Sequence, residues 1–242
     1  MTIDLAIART TPDEVTGPAV VLIHGFASSG AQDWPADRWA RPLAAAGRET
    51  LVVDLPGHGE SPRVGSAAEA TTGRVLEKLD EALRAAGADS VDVVGYSLGA
   101  RLAWDLVAVS RVPVRRLVLG GLSPVEPFAA VDVAAARAAA RGGDRPADQL
   151  TGMVLGMASA PGRDTESLLS LVEGLASEPF DPAAAPPGVP ALLVGGVDDP
   201  MSQGIDELAG HLPQGAVLRV PGDHLGALAG DEFRAAAVEF LR

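Results

Sequence analysis

Cysteine is absent from the 242 residues. No disulfide, thiolate nucleophile or cysteine-ligated metal site is therefore open to the chain. Positive charge is scarce: 19 Lys and Arg stand against 32 Asp and Glu, a formal net charge of −13 with no basic cluster to offset it. Such a balance repels nucleic acid and anionic membrane surfaces alike. No apolar run is long enough to span a bilayer, and residues 1–9 carry an early acid where a secretion signal would have a basic and then an apolar stretch. The expectation is a cytoplasmic protein with a small-molecule partner, no nucleic acid and no membrane. No pair of His or carboxylates has metal-ligand spacing, and the glycines follow neither a phosphate-loop nor a dinucleotide pattern. Neither metal nor cofactor is expected, and the oligomeric state stays open.

What is there reads as one globular α/β domain, with 47% hydrophobic and 21% charged residues. Ile3, Leu5 and Ile7 alternate as a first strand. Residues 19–23 form a continuous apolar run, the mark of a parallel strand covered on both faces. A helix over 39–46 and a strand over 50–53 follow, then a long helix over 67–86. Further strands are predicted at 90–94, 116–120, 191–194 and 217–220, with helices between them and a last helix to Arg242. This alternation predicts a mostly parallel central sheet flanked by helices. Between Pro124 and Pro187 the rhythm stops, and three helical patterns (131–141, 147–158 and 165–177) stand in place of one crossover. An insertion at a strand end commonly covers a site, so 1–124 and 188–242 are read as the core and 125–187 as a helical lid. Met153, Val154, Leu155, Met157, Leu168, Leu169, Leu171, Val172 and Leu175 would line its underside or form its own core.

One stretch organises the rest. The strand ending in Val94 runs into Gly95-Tyr96-Ser97-Leu98-Gly99 and then into a helix with apolar positions at Leu98, Leu102 and Leu106. A serine between two glycines in such a strand–turn–helix is either a nucleophile held in a strained turn or an ordinary helix cap. Two further groups lie just past predicted strand ends, Asp198/Asp199 and then His224. A serine hydroxyl needs a base to take its proton and an acid to orient that base, and the order Ser, Asp, His suits this architecture. Glu126 is a remoter candidate for the acid, otherwise a surface charge at the lid hinge. His211 ends a helix, and His24 and His58 sit in turns as loop residues.

The pieces His24-Gly25-Phe26, residues 54–61 (Asp-Leu-Pro-Gly-His-Gly-Glu-Ser), Gly95 to Gly99, Gly196 to Asp199 and Gly222-Asp223-His224 together resemble the α/β-hydrolase superfamily along essentially the whole chain. The resemblance implies Ser97 as nucleophile, His224 as general base and then acid, and Asp199 as the orienting carboxylate. It also implies an oxyanion hole from the backbone N–H groups of Phe26 and Leu98. Hydrolysis of a small carboxylic ester or lactone is the activity expected, with Trp34, Tyr96 and Arg101 as substrate-binding candidates. Residues 96–101, with the His24-Gly25-Phe26 loop leading to Asp33-Trp34, also resemble the menaquinone-pathway synthases that eliminate pyruvate. In that reading Arg101 binds a carboxylate rather than forming a helix-surface salt bridge, with Arg137, Arg141, Arg145 and Arg163 as the other available cations. A C–C bond hydrolase and a receptor-like binding module are the remaining alternatives.

Overall fold

The computed structural model describes residues 4–242. Ile3 lies outside that range, and the first strand is β1 (Ile7–Thr10). The others are β2 (Ala19–Ile23), β3 (Thr50–Val53), β4 (Val91–Tyr96), β5 (Val114–Gly120), β6 (Ala191–Gly196) and β7 (Gly215–Val220). They form one sheet in the order β1-β3-β2-β4-β5-β6-β7. Among the described residues only the β1–β3 pairing is antiparallel. Every residue of β2, β4 and β6 is buried, as in strands covered on both faces, and the charged residue among them, Asp92 of β4, is paired with the buried Arg48.

Alternate side chains of each strand feed two cores. On one face Val21, Ile23, Leu51 and Val93 pack beneath α3 (Thr72–Ala85) and α4 (Leu98–Val109). On the other, Val20, Leu22 and Val94 meet Leu43 from α2 (Ala40–Ala45) and Phe233 and Ala237 from α10 (Asp231–Phe240). A short α1 (Gly30–Asp33) follows β2. Between β5 and β6 stand α5 (Val133–Ala140), α6 (Gln149–Ala158) and α7 (Thr165–Ser177), each begun by an Asp whose side chain accepts from a first-turn N–H. Leu168, Leu169, Leu171, Val172 and Leu175 of α7 are fully buried within the first core. After β6 come α8 (Ile205–His211) and, past β7, α9 (His224–Ala229).

Two helices are broken where periodicity ran on. The pattern over 67–86 divides into a 3-10 turn (Ala67–Glu69) and α3, because Thr71 turns extended and caps the helix. The terminal helix divides at Gly230, also extended, between α9 and α10. In both cases the apolar spacing continues across a residue that leaves the helical region.

At the junction of β4 and α4 backbone packs directly on backbone. A Cβ placed on Gly99 would overlap the carbonyl of Ile23 in β2, and one on Gly95 would overlap the backbone of Gly99. Gly99→Ala is therefore expected to cost about 3 kcal/mol by forcing backbone apart, read as a lower urea midpoint. Gly188→Ala, where a Cβ meets nothing within 4 Å, is expected to stay within about 0.5 kcal/mol of wild type.

Candidate active site

Ser97 occupies the turn between β4 and α4 with φ 52° and ψ −115°, a left-handed backbone that costs a non-glycine residue on the order of 1–3 kcal/mol. Its N–H donates to the Gly120 carbonyl (2.8 Å), and its own carbonyl accepts from Ala100 and Arg101, both at 3.0 Å. The strained residue is thus pinned on both sides by backbone. Although Ser97 stands at the cap position of α4, its side chain makes no capping bond. The ordinary helix-cap reading of this serine does not hold.

β6 and β7 end on the same edge of the sheet. Asp199 is fully buried and its Oδ2 lies 2.8 Å from His224 Nδ1, while its Oδ1 accepts from the Met201 N–H (2.9 Å). Burial pushes this carboxyl up, but the hydrogen bonds from His224 and Met201 and the charge of His224 outweigh it, and the net direction is down. An ionised carboxylate there holds the proton on Nδ1 and leaves Nε2 as the basic nitrogen. Asp198, by contrast, is exposed. Asp223 caps α9 by accepting from the Gly226 N–H at 2.8 Å, and His211 closes α8.

The loop after β2 is held by groups the sequence shows only as a cluster of His, Asp and Gly. Leu55 N–H donates to His24 Nε2 and Ala27 N–H to His58 Nε2, each at 2.9 Å. Both Nε2 atoms are acceptors, so each ring carries its proton on Nδ1, facing the carbonyls of Gly25 (2.7 Å) and Pro56 (3.0 Å). Burial lowers both pKa values, that of His58 to about 3. Asp33 accepts from Gly25 N–H (2.8 Å), and Asp54 accepts from Gly30 (2.7 Å) and Glu60 (2.9 Å). Among the described residues the N–H groups of Phe26 and Leu98 have no protein acceptor.

Ser97, Asp199 and His224 line a cavity of about 310 Å³ whose walls are apolar, with Phe26, Leu122, Phe128, Val154 and Phe180 prominent. From the insertion, Met153, Val154 and Met157 of α6 reach it, whereas the leucines of α7 do not. Two expected substrate contacts are corrected. Trp34 is only 2% exposed and packs edge-on to Trp39 (4.8 Å between ring centres) in the core on the opposite face of the sheet. Tyr96 is buried in that same core. Its hydroxyl donates to the His224 carbonyl (2.6 Å), so it supports the turn that carries the histidine rather than facing the cavity.

Arg101 does line the cavity, and its partner is Glu126, which lines it too. Their side chains are 5% and 2% exposed and meet Nε to Oε2 at 2.6 Å. Glu126 is thus neither a surface charge nor the acid of His224, and the salt bridge of Arg101 is buried rather than on a helix surface. Burial lowers the Arg101 pKa against the raising influence of Glu126. Neither Arg137, Arg141, Arg145 nor Arg163 is among the residues lining this cavity. Arg137 is engaged by Glu166 (2.8 Å) and Glu173 (2.6 Å). No helix among the described residues is long and apolar enough to cross a membrane.

A family model described as alpha/beta hydrolase fold matches residues 18–152. Over 107 residues the chain is 37% identical to the pimeloyl-[acyl-carrier protein] methyl ester esterase of Aromatoleum aromaticum, covering 44% of this chain and 38% of that protein. Over 92 residues it is 39% identical to the 2-succinyl-6-hydroxy-2,4-cyclohexadiene-1-carboxylate synthase of Yersinia enterocolitica, covering 36% and 29%. Over 144 residues it is 32% identical to epoxide hydrolase B of Mycobacterium tuberculosis, covering 59% and 38%. The matched stretches span less than two fifths of these relatives' own length. Among solved structures, MenH from S. aureus superposes with a TM-score of 0.77 at 20% identity, covering 100% of this chain and 98% of that one. A thermophilic esterase from Thermogutta terrifontis gives 0.76 at 24%, covering 99% and 93%. At such identities the likeness is one of fold.

The buried histidines make the loop acid-sensitive. The unfolded chain protonates His58 near its ordinary 6.5, the folded chain only near about 3. Between those values the unfolded state holds more protons, so stability falls as pH falls, by about 1.4 kcal/mol per unit. His24 acts in the same direction. Asp105, pushed up from 3.8 to about 6 by burial, opposes them between those two values. Urea midpoints are expected to drop from pH 7 to pH 4, and to drop less steeply in His58→Asn; parallel slopes would remove His58 from the acid response.

Proposed function

This chain belongs to the alpha/beta hydrolase fold family, and within it we propose a serine hydrolase that cleaves a small carboxylic ester or lactone through an acyl-serine intermediate. The observation that carries this reading is the buried Asp199 carboxylate 2.8 Å from His224 Nδ1, at a cavity shared with a serine hydroxyl not spent on capping. In the proposed cycle Ser97 Oγ attacks the ester carbonyl as its proton passes to His224 Nε2. The oxyanion forms beside the N–H groups of Phe26 and Leu98, each such donor being worth about 3 kcal/mol in the transition state. Collapse breaks the ester C–O bond, and the leaving alkoxide takes the proton from His224. Water, deprotonated by the same nitrogen, then attacks the acyl-enzyme and regenerates the serine. The segment 125–187 acts as a lid in this proposal, with α6 closing over the acyl chain.

A second reading, elimination of pyruvate by proton abstraction, draws on the similarity to the Yersinia synthase and on Arg101 in the cavity wall. Against it stands the neutralisation of Arg101 by Glu126, which leaves the apolar cavity without a free cation for an acidic substrate.

Turnover of p-nitrophenyl butyrate by the purified protein is the direct test. Ser97→Ala and His224→Ala are expected to lower kcat by roughly 10⁴-fold to 10⁶-fold, and Asp199→Asn by about 10⁴-fold because Nδ1 loses its acceptor. Wild-type turnover no greater than that of Ser97→Ala would sink the hydrolase reading. Tight ligand binding without turnover would then favour a receptor-like module.

A further inference from the structure

Sulfur is rare in this chain, and it is gathered in one place. There is no cysteine, and of the four methionines Met1 lies outside the described residues. The other three, Met153, Met157 and Met201, all line the cavity that holds Ser97 and His224. Met153 and Met157 stand one turn apart on α6 and are 50% and 37% exposed. Met201, half-buried, follows Asp199 in the 3-10 turn Pro200–Ser202. Other side chains that oxidants attack are out of reach: all three tryptophans and the one tyrosine are buried. Among the described residues an oxidant arriving from solvent therefore meets no thiol and no accessible indole or phenol. Its first target is a thioether at the mouth of the cavity.

We propose that Met153, Met157 and Met201 form a peroxide-modification site, at which conversion to sulfoxides takes away the cavity's affinity for apolar esters until a reductase restores it. The thioether sulfur attacks one oxygen of hydrogen peroxide, an S–O bond forms as the O–O bond breaks, and the other oxygen leaves as water. Sulfur gives up two electrons and the peroxide takes them. The product exchanges a flexible apolar group for a polar one whose oxygen is a strong hydrogen-bond acceptor. At the mouth that oxygen holds water, and an apolar chain entering the cavity has to strip the water away. The Leu, Val and Phe side chains around it offer no donor in exchange. Reversal needs thiols, which this chain lacks. It falls to a separate reductase, two of whose thiols become a disulfide as the sulfoxide oxygen leaves as water. The loss of turnover rests on the ester-hydrolase reading, whereas the modification and the loss of binding do not.

The full chain is treated with hydrogen peroxide and its peptides are weighed by mass spectrometry. One added oxygen is expected on each of Met153, Met157 and Met201 before any appears on tryptophan or tyrosine. With it kcat/KM for p-nitrophenyl butyrate is expected to fall about tenfold, chiefly through KM, the scale of an unpaired polar group in an apolar contact. Calorimetry on Ser97→Ala is expected to show methyl hexanoate binding weakened by a similar factor. Methionine sulfoxide reductases of both epimer specificities, fed with dithiothreitol, should return both values. Met153→Leu/Met157→Leu/Met201→Leu keeps the volume without the sulfur, and its values are expected to be the same before and after peroxide. Should that variant fold poorly, Met153→Leu, at the most exposed of the three, is expected to lose less than wild type. Sulfoxides that form at all three residues and leave both values unchanged overturn the proposal, as does an equal loss in the leucine variants. Binding of methyl hexanoate too weak to measure before oxidation overturns it too, since no apolar affinity is then there to lose. Wild type without turnover sinks the hydrolase reading alone, and the binding measurement still decides the modification site.

Discussion

Helix α4 approaches β2 so closely that no side chain fits between them, and the candidate site depends on that approach. Gly99 faces the backbone of Ile23 and His24, and Gly95 faces the backbone of Gly99 and Ala100. With both Cβ atoms missing, the strand reverses into the helix within one residue, and that residue, Ser97, takes the left-handed backbone. The N-terminus of α4 is thereby brought against the end of β2, where its free N–H groups and dipole favour negative charge. Leu98 and Phe26, distant in sequence, line the same cavity for this reason. A Cβ at Gly99 would push the start of α4 away from the end of β2.

Strain at Ser97 persists only if its surroundings are stiff, and the buried polar groups supply the stiffness. His24 and His58 are neutral, fully hydrogen-bonded struts between the β2 loop and the β3 loop. Asp54 reaches across from β3 to the start of α1, and Asp33 reaches back to Gly25. These are the roles that make a Gly- and His-rich loop rigid without apolar packing. Tyr96 does the same for the opposite wall by holding the carbonyl of His224.

Sequence reading recovered what depends on strand ends. Ser97, Asp199 and His224 each follow the end of a strand, and parallel strands deliver their C-terminal ends to one edge whatever lies between. It could not decide which side of the sheet an aromatic residue faces. Trp34 sits near the β2 loop in sequence but packs with Trp39 and Phe233 beneath the sheet. Tyr96 adjoins the serine, yet in a strand neighbouring residues point to opposite faces. Helix spacing likewise failed to separate α6, which meets the cavity, from α7, which fills the core, since both show the same periodicity. The breaks at Thr71 and Gly230 escaped for the same reason: apolar spacing carries no record of a single extended residue.

The pairing of Arg101 with Glu126 was illegible for a different cause. The two lie 25 positions apart, on α4 and on the segment after β5, and nothing in either local pattern refers to the other. Yet this pair changes the chemistry of the site more than any wall residue. An arginine four residues after the serine, taken alone, argues for an anionic substrate. The same arginine against a buried carboxylate contributes hydrogen bonds and almost no field. In a protein whose net charge is −13, an anionic ligand is already repelled at long range. With the guanidinium that lines the cavity neutralised by Glu126, an anion finds little there beyond the N-terminal dipole of α4 to offset that repulsion, and this is the electrostatic support for a neutral substrate in the proposed reaction.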